Sequence, residues 1–262
     1  MTHALKSLSR STLGVAISLA VVLAIWAGGL RILDVSSFIG KGPLDVFGHL
    51  ALDEDAAAHR AAVTENLTIT LADAAIGFVA GLALALVVAA AFTLIRGVED
   101  ALLPIAMLLR SVPLVAMAPI LILIFGRGTA TVAAMGGIVV LFPALVTIVL
   151  GLRSASPAMV DVVSVFGGSK VAAFRKVALP ASLPAFFTAL RISIPGALTG
   201  ALLAEWLATG QGIGYQIVSD VSRARYESVW ASVVVVTAAS LLLYGIVSVL
   251  ERLVLRRMGQ TV

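Results

Sequence analysis

Few residues of this 262-residue sequence offer chemistry, and their spacing offers recognition, not bond-making. The segment Asp161-Val-Val-Ser-Val-Phe-Gly167-Gly-Ser-Lys170-Val-Ala-Ala-Phe-Arg175-Lys176-Val177-Ala-Leu179-Pro180 lies between two long apolar stretches. It is too long for a simple turn. It carries a carboxylate, three cations, a glycine that can turn the chain sharply and a Leu-Pro stop. Such a segment reads as a docking element, and what docks there decides what the chain does.

Other reactive groups are sparse. There is no cysteine, so disulfides and thiolate metal sites are excluded. His3, His49 and His59 have no ligand spacing, and His49 and His59 are expected in a wet loop; no metal is assigned. A nucleotide loop of the form Gly-x4-Gly-Lys-[Ser/Thr] is absent: Gly40-Lys41 lacks the earlier glycine, and Gly167-Gly-Ser-Lys170 has the wrong order. The chain is therefore expected to be no enzyme and to hold no ATP, magnesium or other cofactor of its own.

The elements that must position these residues are membrane spans. Hydrophobic residues make up 60% of the chain, charged residues 12%, and the mean hydropathy is +1.10. A soluble domain needs roughly 25% charged residues to cover its surface. The outer surface must then face hydrocarbon. Net charge is +4, but the basic residues sit at the ends of apolar stretches and not in a stripe with aromatics. That pattern sets orientation in a bilayer and argues against nucleic acid.

About 20 apolar residues span a bilayer core. Six stretches qualify: Ser11–Leu30, Ala74–Ile95, Ala101–Gly126, Gly128–Leu152, about Ala185–Ala208 and Ser228–Leu250. Lys6 and Arg10 precede the first stretch as in a signal peptide, but its length and the spans that follow favour an uncleaved helix. With the N-terminus inside, ten basic residues fall inside and six outside, leaving Arg110 and Arg191 within spans. Both termini and the 153–185 loop are then cytoplasmic, and the acidic 34–65 loop is external.

Arg110 is the one charge in Ala101–Gly126. A charge at membrane depth usually faces a bundle interior or a water-filled cavity, where a guanidinium attracts anionic groups. Nearer the end of its span it would snorkel to the interface. Glu205, beside Trp206, has two readings as well: an interfacial position anchored by the tryptophan, or a gate and partner to Arg110. Pro113 and Pro119 add backbone irregularity, which is tolerated at depth where protein or a cavity covers it. Arg110, Pro113, Pro119 and Glu205 are the candidate pathway residues. The glycines of Gly77-Phe-Val-Ala-Gly81 let helices approach closely. Gly126-Arg127-Gly128 reads as a tight turn between spans three and four. Tyr226 and Trp230 read as interfacial aromatics, and Arg223, Arg225 and Glu227 as loop charges.

With that topology the loop resembles the cytoplasmic signature of bacterial ABC-importer permeases, Glu-Ala-Ala-x3-Gly-x9-Ile-x-Leu-Pro, without a gap. Asp161 stands for the glutamate, Val162-Val163 for the alanines and Val177 for the isoleucine. Arg110-Ser-Val-Pro113-Leu-Val-Ala116-Met-Ala-Pro119 through Phe125-Gly126 is similar to the corresponding segment of the nitrate/sulfonate/taurine branch. So is Ala204-Glu205 followed by Gly210-Gln-Gly212-Ile-Gly214.

The resemblance implies an all-α integral membrane protein with six transmembrane helices, the type I ABC-importer permease fold. It divides into 1–64 (first helix and external loop), 65–250 (transmembrane domain) and 251–262 (cytoplasmic tail). A coupling helix over 161–172 would dock into an ATP-hydrolysing subunit through Asp161, Gly167, Val177, Leu179 and Pro180. The implied partners are a second permease copy, two ATP-binding subunits that hold the ATP and magnesium, an extracytoplasmic substrate-binding protein and lipid. The implied setting is the bacterial inner membrane. The branch suggests a small anion such as a sulfonate, taurine or nitrate. Similar relatives carry pyrimidine-type vitamin precursors. A secondary transporter is the rival of another class, but it would need mid-membrane ion ligands and inverted repeats.

Overall fold

The computed structural model describes the backbone of residues 2–95 and 97–258; among these, the side chains of 2–13, 15, 16, 103, 106, 107, 109 and 110 lie outside the description. Helix α1 (Thr2–Ile32) leads to a short α2 (Pro43–Phe47) that runs into a π-turn at Gly48–Leu52. There follow α3 (Ala56–Leu94), α4 (Val98–Ser111), α5 (Leu114–Phe125) and α6 (Thr129–Arg153). After α7 (Pro157–Val165) come α8 (Leu183–Ala204), α9 (Gly212–Ser222) and α10 (Tyr226–Arg257).

The chain is nearly all helical, and among the described residues four helices are long and apolar enough to cross a membrane: α3, α6, α8 with its continuation to Thr209, and α10. Residues 17–32 of α1 and all of α5 form shorter apolar helices. Two expected spans are redrawn. Ala101–Gly126 is not one helix but α4 and α5, broken at Val112-Pro113. Pro113 has no amide hydrogen, and its ring disfavours helical backbone at the residue before it. α3 begins at Ala56, not near Ala74. At 1.5 Å per residue its 39 residues reach about 58 Å, so its first turns rise beyond a hydrocarbon core of about 30 Å.

Three helices cross at glycines. Gly77 of α3 and Gly200 of α8 both abut Gly136 of α6: a Cβ on either would stand 2.7 or 2.6 Å from the Gly136 Cα. Gly81 meets the Gly137 carbonyl in the same way. Without side chains at the crossing, backbones touch, and dispersion over that contact takes the place of hydrophobic driving force. Below it, Ala85, Ala89, Phe92, Ala144, Ile148, Leu152 and Ala189 form a core that reaches the 153–185 face.

Two ion pairs join helices among the described residues. Arg191 binds Glu251 at 2.7 Å, with its guanidinium over the Tyr244 ring, and Arg153 pairs with Glu99.

Candidate functional site

The 153–185 segment is an elbow of short helices. Ser156 sits at the N-cap of α7 and Pro157 at its first turn, where a missing amide costs nothing. No residue of α7 is buried, although Met159, Val162 and Val165 are apolar and exposed. Phe166 is 87% exposed at its tip. Asp161 is exposed on the same helix.

The helix ends in a Schellman turn. Gly167 has φ +78° and donates to the Ser164 carbonyl, while Gly168 donates to the Val163 carbonyl at 2.8 Å. Ser169 then accepts from the Ala172 amide and caps a new turn, Lys170–Ala173. The helix expected over 161–172 is therefore two pieces with a corner at Gly167. The Leu-Pro stop is also corrected. A π-turn at Phe174–Ala178 shifts the hydrogen-bond frame ahead of Pro180, and winding continues to Ala181. Leu179 is exposed and Pro180 partly so. Val177 is buried with Ala178, so it holds the elbow to the bundle.

Glu205 is not at an interface with Trp206. It is 0% exposed, while Trp206 projects outward. A π-turn at Glu205–Thr209 ends at left-handed Gly210 and returns the chain so that α9 starts beside the carboxylate. Its Oε2 accepts from the Gly214 amide at 2.6 Å, one of the orphan donors of a helix N-terminus. Ile213 donates its amide to the Thr70 hydroxyl of α3 at 2.9 Å. Gly212 has φ +79°, and a Cβ there would stand 2.5 Å from Glu205 Oε1. The Ala-Glu…Gly-x-Gly-x-Gly segment is thus a clamp that seats α9 on α8 and α3.

Of the pathway candidates, Pro113 caps the start of α5 and Pro119 lies within it, both exposed. A cleft of about 290 Å³ runs from Pro113 to Phe142 and Pro143, and another of about 420 Å³ from Pro119 to Arg127 and Leu207. The Arg110 side chain lies outside the described residues; its backbone is in the last turn of α4. Gly126 at φ +78° and Gly128 at an N-cap make the expected tight turn into α6.

The 34–65 segment folds over the ends of α3, α9 and α10. Trp230 donates its indole N–H to the Ile39 carbonyl at 2.9 Å and stacks on Trp26. Tyr226 meets Phe38 edge to face, and Glu227 binds Lys41 at 2.9 Å. A cleft of about 550 Å³ remains, lined by His49, His59, Asn66, Gln216 and Asp220 among others. His49 is buried, not in a wet loop, and its ring stacks on His59 at 3.8 Å. The sequence held one faint signal for this cluster. Asp53 follows His49 by four residues, and the π-turn and reversal into α3 bring His59 to both.

A helical bundle of apolar spans, with an amphipathic elbow at one face and a clamped short helix at the other, is the architecture of an ABC-transporter permease. The solved structure of an amino acid ABC transporter with histidines shares the fold, with a TM-score of 0.58 and 16% identity over 75% of this chain and 95% of that one. The chain belongs to the family of binding-protein-dependent transport system inner membrane components, whose model matches residues 77–260. A probable ABC transporter permease protein of Haemophilus influenzae is 29% identical over 86% of this chain and 89% of its own length. The riboflavin transport system permease protein of Chloroflexus aurantiacus is 28% identical over 96% and 93%. A putative aliphatic sulfonates transport permease protein of Bacillus subtilis is 28% identical over 90% and 84%. The chain is an ABC-importer permease of the branch that holds the sulfonate, taurine and nitrate permeases, a multi-pass membrane subunit.

Proposed function

We propose that two copies of this chain, each with six spans, form the permease of a bacterial importer, open alternately to either side as partner subunits hydrolyse ATP. The partner subunits hold the ATP and magnesium; an extracytoplasmic binding protein delivers the solute to the 34–65 face. Both termini are cytoplasmic.

One observation carries this reading. α7 buries none of its residues, yet presents Met159, Val162, Val165 and Phe166 outward at the end of the bundle that bears Lys170, Arg175 and Lys176. An apolar ridge rimmed by charge marks a protein interface. A rigid corner at Gly167 and a buried anchor at Val177 turn a push on α7 into movement of α6 and α8. Asp161 and Leu179 flank the contact, and Pro180 stiffens its base. Arg110, Pro113 and Pro119 line the pathway, and Glu205 holds α9 in place behind it.

Co-purification tests the docking. Phe166→Glu and Val165→Asp are expected to lose the ATP-hydrolysing subunit while the permease keeps its yield and melting profile. Full co-purification with solute-stimulated hydrolysis would sink the proposal.

The imported solute is a small anion of the sulfonate, taurine or nitrate kind. A pyrimidine-type vitamin precursor is the second reading, favoured by relatives named for formylaminopyrimidine and riboflavin transport. Thermal-shift screening of the cognate binding protein separates them by which class raises its melting temperature.

A further inference from the structure

Four polar side chains meet on the 34–65 face, and one of them, His49, has a buried ring nitrogen without a hydrogen-bond partner. His49, 6% exposed, turns its Nδ1 toward the carboxylates of Asp53 at 3.7 Å and Glu227 at 3.9 Å. Its Nε2 lies 3.4 Å from the Ser228 hydroxyl, and its buried Nδ1 has no hydrogen-bond partner. His59 Nδ1 lies 3.0 Å from the His49 carbonyl. A carbonyl only accepts, so this nitrogen carries the proton and the lone pair of His59 is on Nε2. One ligand atom from each of His49, Asp53 and His59 lies within 4.8 Å of the others.

The buried His49 Nδ1 faces two carboxylates but reaches hydrogen-bond distance of neither, a gap that a cation between them would fill. A divalent cation placed there would exchange water for side chains that the fold already holds together. Tetrahedral ligands about 2.0–2.1 Å from zinc stand roughly 3.4 Å apart, near the 3.7 Å between His49 and Asp53, while His59 lies within 4.8 Å of both. The donors are two imidazoles and a carboxylate, which suit zinc better than the oxygen-seeking calcium or magnesium. The His59-to-carbonyl hydrogen bond is the kind of outer contact that fixes a ligand's tautomer. The stacked rings do not yet converge, and His59, partly exposed, has room to swing.

We propose that His49, Asp53 and His59 bind a zinc-class divalent cation, with Glu227 able to add a fourth ligand when it leaves Lys41. Such an ion would tie the 34–65 segment to the ends of α3 and α10, at the rim of the 550 Å³ cleft. It would staple the face that stands over the cleft, independently of which solute the importer carries.

The test uses the full-length permease in detergent or nanodiscs, free of affinity tag and chelator-stripped, titrated with zinc chloride against a chromophoric chelator. One zinc per chain is expected, together with a rise in melting temperature. Asp53→Asn, an exposed change that leaves the fold intact, and His59→Gln should each weaken binding by at least about tenfold and remove the thermal shift. His3→Gln, remote in sequence, should change neither. Absence of binding at 100-fold excess zinc, or equal affinity in wild type, Asp53→Asn and His59→Gln, would overturn the proposal.

Discussion

The carboxylate of Glu205 receives the Gly214 amide at 2.6 Å across a space that is open because residue 212 has no side chain. Two residues nine positions apart thus fasten the end of a membrane helix to the start of the next. Glu205→Ala strands a buried amide at a cost of about 1–3 kcal/mol, and Glu205→Gln, which keeps an acceptor, costs less. Gly212→Ala forces an unfavourable φ and a clash, about 1–3 kcal/mol for the backbone alone. Melting of the detergent-solubilised protein should rank the variants wild type, Gln, then Ala; equal melting would remove the clamp.

At the three-helix crossing, Gly136→Ala, Gly77→Ala and Gly200→Ala are each expected to destabilise by about 1–3 kcal/mol through overpacking. Gly245→Ala is the control. No atom lies within 4 Å of the added methyl, and the helix gains up to about 1 kcal/mol. Loss at 245 equal to that at 136 would contradict the packing described.

Removing Glu251 leaves Arg191 partly buried without its carboxylate. Breaking such a pair costs about 3–5 kcal/mol when both members are buried; Arg191 keeps 24% side-chain exposure, which places the expected loss near the lower end. Glu251→Gln should be milder than Glu251→Ala in the same melting assay.

His49 gives a pH dependence. Burial first, then neighbouring His59, holds its imidazole below the ordinary value of 6.5, against the opposing pull of Glu227, Asp53 and Asp220. The neutral ring is the one the fold favours. Its contribution is present in full above about pH 6.5 and is lost as pH falls through the lower folded value. In chelator, the melting temperature should fall as the pH is taken down from about 6.5, and His49→Gln should flatten that fall.

Gly167→Ala meets no steric neighbour but must hold φ +78°. A loss of about 1 kcal/mol should appear as local fraying of α7, read by faster amide exchange at Val163 to Gly168, with the bundle core unchanged.

Much of this protein was legible before folding. Scarce charge forces an apolar exterior, and that marks membrane helices without any knowledge of neighbours. The elbow motif, the Gly126-Arg127-Gly128 turn and the close-packing glycines of α3 were legible because each rests on local backbone chemistry. The sequence alone did not place the break at Val112-Pro113 or the early start of α3, since hydropathy does not see helix continuity. It misread the Leu-Pro stop because a π-turn, set by packing of Val177 and Ala178 on the core, moved the proline into a tolerated position.

What only tertiary structure decided is which distant groups share a space. Glu205 could be read as interfacial beside Trp206 or as a gate and partner to Arg110, but chain reversal at Gly210 buried it against α9. His49 and His59 were expected in a wet loop, yet the return into α3 buried His49 and stacked the two rings near Asp53. Composition and local spacing set what kind of solvent the chain requires. Long-range contacts set the partners of its few polar side chains, because in a nearly apolar bundle a buried polar group is stabilised only by the partner that the fold brings to it.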